Sequence, residues 1–243
     1  MNILEHLYQH KIIPLQLWGI DVSITNGILT MWLALVLVFL FFYLGSRRPK
    51  LVPRGLQNLA EMFITFTRDE IASQIEGNSE KWLPFLVTIF AFILFNNLLG
   101  LIPGMGGSTT NINVTAALAI IVFVTVQAAG IYHLGITGYL KKYIPEGVPF
   151  FIVIFMIPVE IVSQLARPFS LAVRLFANMF AGHAVMLLLI SMIFIFRSYI
   201  LLPIPVLGNT AFLAFELFIA AIQAFVFTYL SAFYIATALE EEH

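Results

Sequence analysis

Residues 158–185 read PVEIVSQLARPFSLAVRLFANMFAGHAV, and this stretch decides the fold. It is apolar enough to lie in a bilayer, yet it carries polar and ionisable side chains at Glu160, Gln164, Arg167, Arg174, Asn178 and His183. A central arginine costs about 2.5–3.5 kcal/mol on insertion scales, so chains keep such groups where they face a polar cavity or a partner charge. Arg174 has apolar neighbours and no carboxylate within one helical turn. The identity of its partner is therefore the central question.

The composition is that of an integral membrane protein. Of 243 residues, 60% are hydrophobic and only 10% are charged, whereas about a quarter of the residues in soluble domains are charged. The net charge of -1 gives no reason to expect nucleic acid as a partner. Cysteine is absent, which excludes disulfides and thiolate metal sites, and the five histidines are scattered. We therefore expect no metal and no cofactor.

The apolar tracts predict an all-α membrane protein with about five membrane helices, plus one amphipathic helix in the membrane plane. Two basic loops, the first with Arg47 and Arg54 and the second with Lys141 and Lys142, are predicted to lie inside. The predicted segments of this single domain, 1–243, are an outer N-terminus (1–26), a span (27–45), the amphipathic helix (53–75), two spans (82–102 and 113–134) and two overlong apolar tracts (148–197 and 205–239). The first twenty residues lack the features of a signal peptide.

Two details of this organisation stay open in the pattern itself. A single helix over 148–196 would be about 73 Å long, against a hydrocarbon core of about 30 Å. Pro158 and Pro168 interrupt the tract, so it fits either two spans with a tight turn near Pro168 or one long kinked helix. The amphipathic segment fits an in-plane helix better than a solvent-facing helix packed on the loops.

Helical geometry sorts the polar side chains of the decisive stretch. Glu160, Arg167 and Arg174 are seven residues apart and share one stripe, and Asn178 stays near it. His183 follows Arg174 by nine residues, about 900° of rotation, which puts it on the opposite face.

The predicted topology then separates these side chains by depth. Glu160 lies inward of Arg174, and His183 lies outward. On the last helix, which returns to the inside, Glu216 lies outward and Gln223 lies deeper. One polar set therefore occupies each half of the membrane, with an arginine between them.

Several motifs together resemble subunit a of F-type ATP synthases, the proton-conducting stator subunit of the membrane sector. The resemblance covers most of the chain, and it implies that the tracts 148–197 and 205–239 are two long, tilted helices that form a hairpin. It is carried by RPFSLAVRLFANMFAGH, FELFIAAIQAFVFTYL, RGLQNLAEMFI, FNNLLGLIPG and NINVT. Some members have the carboxylate at the position of His183 and the histidine at that of Glu216. The arrangement found here looks like the alphaproteobacterial and mitochondrial type.

The resemblance implies a role for each candidate residue. Arg174 would face the carboxylates of the rotor's c-ring and seal two half-channels from each other. Glu216 and His183 would line the outer half-channel and Glu160 the inner one, with Asn178 and Gln223 as polar support near Arg174. The implied ion is H⁺ or Na⁺, and the implied partners are the c-ring, subunit b of the peripheral stalk and membrane lipids. The implied location is the bacterial inner membrane or, alternatively, the mitochondrial inner membrane, and no catalytic site is implied.

The chain and its polar residues also have other interpretations. The whole chain could be a self-contained secondary transporter with an anion site at Arg174, although such proteins often show internal repeats and none is found here. Arg174 could pair with Glu160, although about 21 Å of helix separates them. His183 could be a hydrogen-bonded core residue, Glu160 could snorkel to the inner surface, and Asn178 and Gln223 could simply join helices.

Overall fold

The computed structural model describes residues 11–14, 16–17, 20–21, 23–47, 49–102, 105–141, 150–196 and 203–240. Lys142 and most of the predicted outer N-terminus lie outside these residues. The fold is all-α, as predicted, and five of its helices are long and apolar enough to cross a membrane. The six helices are α1 (Asn26–Ser46), α2 (Leu56–Phe66), α3 (Ser79–Gly100), α4 (Ile112–Lys141), α5 (Phe150–Phe196) and α6 (Pro203–Leu239).

The helices pack around α6, which contacts α3, α4 and α5. On one side of this group α1 packs against α3 and against the short α2. The largest fully buried side chains come from α3, α5, α6 and the segment after α2, and they include Phe227, Leu86, Ile93, Leu175 and Ile75. Large apolar side chains also cover much of the outside, as expected where lipid and not water surrounds a protein.

The tract with two possible interpretations is one continuous helix, α5. Pro158 and Pro168 both lie inside it. Each proline removes one hydrogen bond from the helical ladder, but transmembrane helices tolerate this loss when neighbouring groups satisfy the backbone. The long-helix interpretation is therefore confirmed, and the tight turn near Pro168 is wrong.

Helix α4 bends sharply near its end, at Gly135, where φ is 70° and ψ is 166°. A positive φ favours glycine because it has no Cβ. The bend turns the last residues back along the helix, so that the Tyr139 ring lies against Gly130. The Tyr139 hydroxyl also hydrogen-bonds to Gln127, twelve residues earlier. In a straight helix these two residues would lie about 18 Å apart along the axis.

The amphipathic segment consists of α2, a π-helical turn over Thr67–Ile71 and a 3-10 turn over Ala72–Gln74. Gly45 of α1 meets Ala60 of α2, and a Cβ at Gly45 would lie only 2.8 Å from the Ala60 Cβ. On the other side of α2, Leu59 and Met62 are exposed. This apolar exposed side suits an interfacial helix.

Four very short strands precede α1, which the sequence did not indicate. They are β1 (Lys11–Ile13), β2 (Gln16–Leu17), β3 (Ile20–Asp21) and β4 (Ile24–Thr25). β1 pairs with β4 and β2 pairs with β3, both antiparallel. Strands of two or three residues are too short to produce the alternating pattern by which strands are predicted.

Candidate functional site

Arg174 lies in the middle of α5 with an exposed side chain. Within the described part of the chain, no carboxylate lies close enough to form an ion pair with it, Glu160 included. By contrast, Arg68 of the surface segment pairs with Glu80 at 2.9 Å. The alternative in which Arg174 pairs with Glu160 is therefore wrong, and the arginine presents its charge on the outside of the helix bundle.

Small residues surround Arg174 on the same exposed face of α5. At 100° per residue, the positions eight and four before it and three and seven after it all fall within about 80° of one another and of Arg174. These positions are exposed and are occupied by Ala166, Ser170, Ala177 and Ala181. Such a face allows another helix to approach closely.

Glu216 of α6 is in the opposite situation, since its side chain is only 2% exposed. Its carboxylate lies directly against Gly182 of α5, where a Cβ would overlap both the carboxyl carbon and Oε1. Within the described residues, Oε2 of Glu216 has no hydrogen-bond partner. A buried carboxylate with an unpaired oxygen is costly in a protein interior, so this group requires an explanation beyond packing.

His183 follows Gly182 and extends this site to α3. Its Nδ1 lies 2.8 Å from the Met179 carbonyl oxygen and its Nε2 lies 2.7 Å from the Gly100 carbonyl oxygen. A neutral imidazole carries one N–H and an imidazolium carries two, so only the imidazolium can donate to both carbonyls. We call Glu216, Gly182, His183 and Gly100 the carboxylate cluster.

Two buried asparagines hold the end of α3 beside this cluster. Asn97 Nδ2 donates to the Ala220 carbonyl oxygen at 3.2 Å, one turn beyond Glu216 on α6. Asn97 Oδ1 accepts from the Thr109 hydroxyl at 3.0 Å, and Asn96 accepts from the Ser108 hydroxyl. Both asparagines belong to the motif FNNLLGLIPG quoted above, but the sequence pointed to no role for either. The sequence did contain a signal for these hydrogen bonds: two adjacent amides in an apolar helix, followed by a serine and two threonines in the next loop.

The second polar region is a cavity of about 200 Å³ between α4, α5 and α6. A water molecule occupies about 30 Å³ in the liquid, so the cavity has room for several. We call it the amide cavity; its polar lining includes Gln127, Tyr139, Glu160, Gln164, Arg167 and Tyr234.

Hydrogen bonds join the polar groups of the amide cavity. The Tyr139 hydroxyl donates to Gln127 Oε1 at 2.7 Å, and Gln127 Nε2 donates to Gln164 Oε1 at 3.2 Å. The Arg167 guanidinium lies over the Tyr234 ring at 5.3 Å. The sequence pointed to the residues of α5 in this group, but it did not point to Gln127 or Tyr139.

The two remaining candidates are Asn178 and Gln223. Asn178 is half-buried on α5, one turn beyond Arg174, and Gln223 is 6% exposed on α6. Among the described residues, no hydrogen bond joins either amide to the arginine. The structure therefore brings Glu216 and His183 together, places Glu160 in a separate cavity and leaves Arg174 on an outer face.

A family model described as ATP synthase A chain matches residues 28–236. The chain belongs to this family. An ATP synthase subunit a from Magnetococcus marinus is 44% identical over 98% of this chain and 93% of its own length. The subunit a of Chloroherpeton thalassium is 40% identical over 94% of this chain and 70% of its own. That of Myxococcus xanthus is 43% identical over 92% and 75%.

Membership in the ATP synthase A chain family confirms the resemblance inferred from the motifs. The matched region includes nearly all of the five membrane-length helices of the described chain, and it contains the carboxylate cluster and most of the lining of the amide cavity. The chain is thus a membrane-sector component of the ATP synthase complex, and a multi-pass protein of the bacterial inner membrane.

Proposed function

We propose that the chain is the stator subunit that conducts protons to and from a c-ring through two offset half-channels, and so couples ion flow to rotation and ATP synthesis. The observation that carries this proposal is the arrangement of charge. Two polar regions lie at different positions along α5, one near Gly182 and the other near Gln164, and Arg174, exposed and unpaired among the described residues, lies on the same helix between them.

The c-ring is proposed to dock on the small-residue face of α5 around Arg174. An exposed, unpaired charge at membrane depth is unfavourable unless a partner charge or a polar surface faces it. A c-type subunit with a carboxylate in mid-membrane meets both requirements, because its helix packs on the small residues and its carboxylate meets the guanidinium. Arginine stays charged at all accessible pH values, so it favours the ionised carboxylate and repels a proton that would cross directly.

The carboxylate cluster is proposed as the end of the outer half-channel. Glu216 and His183 are both titratable and lie in one cluster, so their protons are coupled. A proton taken up from outside would pass through Glu216, whose Oε2 is free to accept it, to the rotor carboxylate. Gln223, two turns further along α6, is proposed to support this route with Asn178.

The amide cavity is proposed as the inner half-channel. Its volume admits water, and Glu160 supplies a titratable group to it. A proton brought round by the rotor would leave the c-ring carboxylate next to Arg174 and reach water through this cavity. Each charge that crosses gains about 2.3 kcal/mol per 100 mV of membrane potential.

The proposal assigns no catalytic site to this chain. Its contribution is to hold charges in fixed positions while the rotor moves, and the chemistry of ATP belongs to other subunits. Subunit b of the peripheral stalk is proposed to hold the chain still against the rotor. The choice between H⁺ and Na⁺ is made mainly by the ion site on the c-ring.

Replacing Glu216 tests this function. Glu216→Gln keeps the size of the side chain but removes its titration. ATP-driven proton pumping in inverted membranes should therefore fall by about tenfold or more, since positioned acid–base groups contribute about 10²–10⁴-fold. Glu70→Gln is the matched control, since Glu70 is exposed outside the membrane helices. Both variants should assemble normally, as judged by ATPase activity retained on the membranes. Pumping at the wild-type rate in assembled Glu216→Gln complexes would contradict the proposed outer route.

A further inference from the structure

A second basic site lies where α1 ends and α2 begins, away from both polar regions. An open pocket of about 410 Å³ is lined there by Arg47, Lys50 and Arg54, together with apolar side chains and Gln57. All three basic side chains are exposed. No carboxylate is among the lining residues, and in the described part of the chain none pairs with these cations. The Glu61 carboxylate is close by, because its Oε1 accepts from Gln57 Nε2 at 2.8 Å, but the three cations still give the pocket a net positive charge.

The shape of this pocket is fixed by hydrogen bonds between the Gln57 side chain and the Lys50 backbone. The Lys50 N–H donates to Gln57 Oε1 at 3.1 Å, and Gln57 Nε2 donates to the Lys50 carbonyl oxygen at 3.0 Å. This pair of bonds holds the connecting loop against the first turn of α2. The close contact of Gly45 with Ala60 holds the end of α1 against the same helix. The basic residues are thus placed by a closed loop.

The first turn of α2 adds to the positive potential of the pocket. Its N-cap is Gly55, which makes no side-chain capping bond. The first backbone N–H groups of a helix lack partners within the helix and carry the positive end of its dipole. An anion held by the three basic side chains would also face these donors.

Apolar surface adjoins the basic pocket. Leu44 and Leu56 line the pocket and are each 48% exposed, and Leu51 and Val52 of the loop are also exposed. Further along α1, Phe39 is exposed toward the membrane core. A ligand that combines an anionic group with long apolar chains would cover both surfaces. A small anion or an acidic peptide would cover only the charges.

We propose that this pocket binds an anionic phospholipid of the inner leaflet, with its phosphate among Arg47, Lys50 and Arg54 and its acyl chains along α1. The basic loop is on the predicted inner side, where a spanning protein meets anionic headgroups. Basic pockets between helices on this side of a membrane are suited to such headgroups. This inference does not depend on the proposed route of protons.

A fluorescence measurement tests the site directly. The chain has no cysteine, so Ser46→Cys, at an exposed position beside the pocket, accepts a single fluorophore. The full-length chain is reconstituted in phosphatidylcholine vesicles that contain a trace of nitroxide-labelled phosphatidylglycerol or phosphatidylcholine. Phosphatidylglycerol should quench with an apparent affinity about fivefold or more above that of phosphatidylcholine, the factor expected for one effective basic residue at a membrane surface.

Matched variants separate this pocket from general basic attraction. Arg47→Gln/Lys50→Gln/Arg54→Gln should lower the preference to about one, since these three residues supply the charge. Arg68→Gln/Lys81→Gln, which removes charges outside the pocket, should leave it unchanged. Arg47→Lys/Arg54→Lys keeps the charges and should retain most of the preference. A label on Ser73→Cys, distant from the pocket, should show little preference.

Five results would overturn the proposal. The first is equal quenching by the two lipids in the otherwise unmodified chain, and the second is a triple variant that keeps the preference. The third is complete loss of the phosphatidylglycerol preference at about 0.5 M salt. Charges more than a few ångströms apart are screened at this concentration, so such a loss would show diffuse attraction only. The fourth is displacement by millimolar inorganic phosphate, which would point to a soluble anion. If the preference were absent in the assembled ATP synthase, an acidic segment of another subunit would be the occupant and the lipid assignment would be wrong.

Discussion

The carboxylate cluster and the amide cavity handle polar groups in a membrane in different ways. In the cluster, Glu216 is pressed against Gly182, and both ring nitrogens of His183 are held by carbonyl oxygens. In the cavity, the amides of Gln127 and Gln164 are joined in a chain beside about 200 Å³ of space. The cluster leaves no room between its carboxylate and Gly182, whereas the cavity can admit water.

Under the proposed function, this difference gives the two proton routes of one helix bundle different physical properties. A packed cluster passes a proton only between fixed groups, so its performance depends on sub-ångström positions. A cavity that admits water tolerates displacement, because water molecules can adjust their hydrogen bonds. Under the proposed function, substitutions should therefore affect the cluster more than the cavity.

Cysteine labelling tests which of the two regions lies toward the outside of the membrane. Asn113→Cys at the start of α4 and Ser46→Cys at the end of α1 are both exposed. An impermeant thiol reagent added outside intact cells should label the former and leave the latter unlabelled, since the basic loop is predicted to lie inside. Permeabilised cells, in which both should react, provide the control. The reverse pattern would exchange the outer and inner assignments of the two regions.

A methyl group at Gly182 should have the next largest effect. In Gly182→Ala the new Cβ would occupy the place of the Glu216 carboxylate, so one of them must move. Overpacking of this kind costs about 1–3 kcal/mol of stability, and ATP-driven pumping should fall by about tenfold or more, because displacements of ~1 Å can cost about a hundredfold at a site that depends on geometry.

Gly208→Ala is the matched control for this prediction. Gly208 is in α6, and a Cβ there meets only Leu189 at 4.0 Å, an ordinary contact. Its pumping should equal that of the unmodified complex. If Gly182→Ala pumped as well as Gly208→Ala, the packed character of the carboxylate cluster would be irrelevant to conduction.

The smallest effect is expected in the amide cavity. Tyr139→Phe removes the hydroxyl that donates to Gln127, at a cost of about 0.5–1.5 kcal/mol of stability. Pumping should fall by less than about tenfold, the factor that corresponds to 1.36 kcal/mol, because water can replace the lost group. Thermal unfolding and proton pumping measure the two quantities. A loss of pumping as large as that in Gly182→Ala would show that the cavity is as position-dependent as the cluster.

Much of the fold followed from the sequence because a membrane requires long apolar helices. The pattern could not decide between one helix and two in the tract that became α5, since Pro158 and Pro168 are compatible with both. It also gave no sign that α4 bends at Gly135, because a glycine in an apolar helix only becomes informative when its φ is known. The short strands before α1 were missed for lack of length.

The candidate site was predicted unevenly. Arg174 could be identified because an isolated arginine in an apolar stretch is energetically costly. That argument does not require knowledge of contacts with other helices. The contact of Glu216 with Gly182 joins residues on different helices, and helical periodicity describes only one helix at a time. The same limit applies to Gln127, which meets Gln164 across α4 and α5. The roles of these residues in ion transfer remain predictions.

The central claim is that the unpaired charge of Arg174 both drives proton release from the rotor and seals the two routes from each other. ATP synthesis in assembled complexes that carry Arg174→Ala tests it most directly. We predict that synthesis is abolished, and that membranes stripped of the soluble sector conduct protons passively until a reagent blocks the rotor carboxylate. ATP synthesis at near-normal rates in the assembled Arg174→Ala complex would contradict the account.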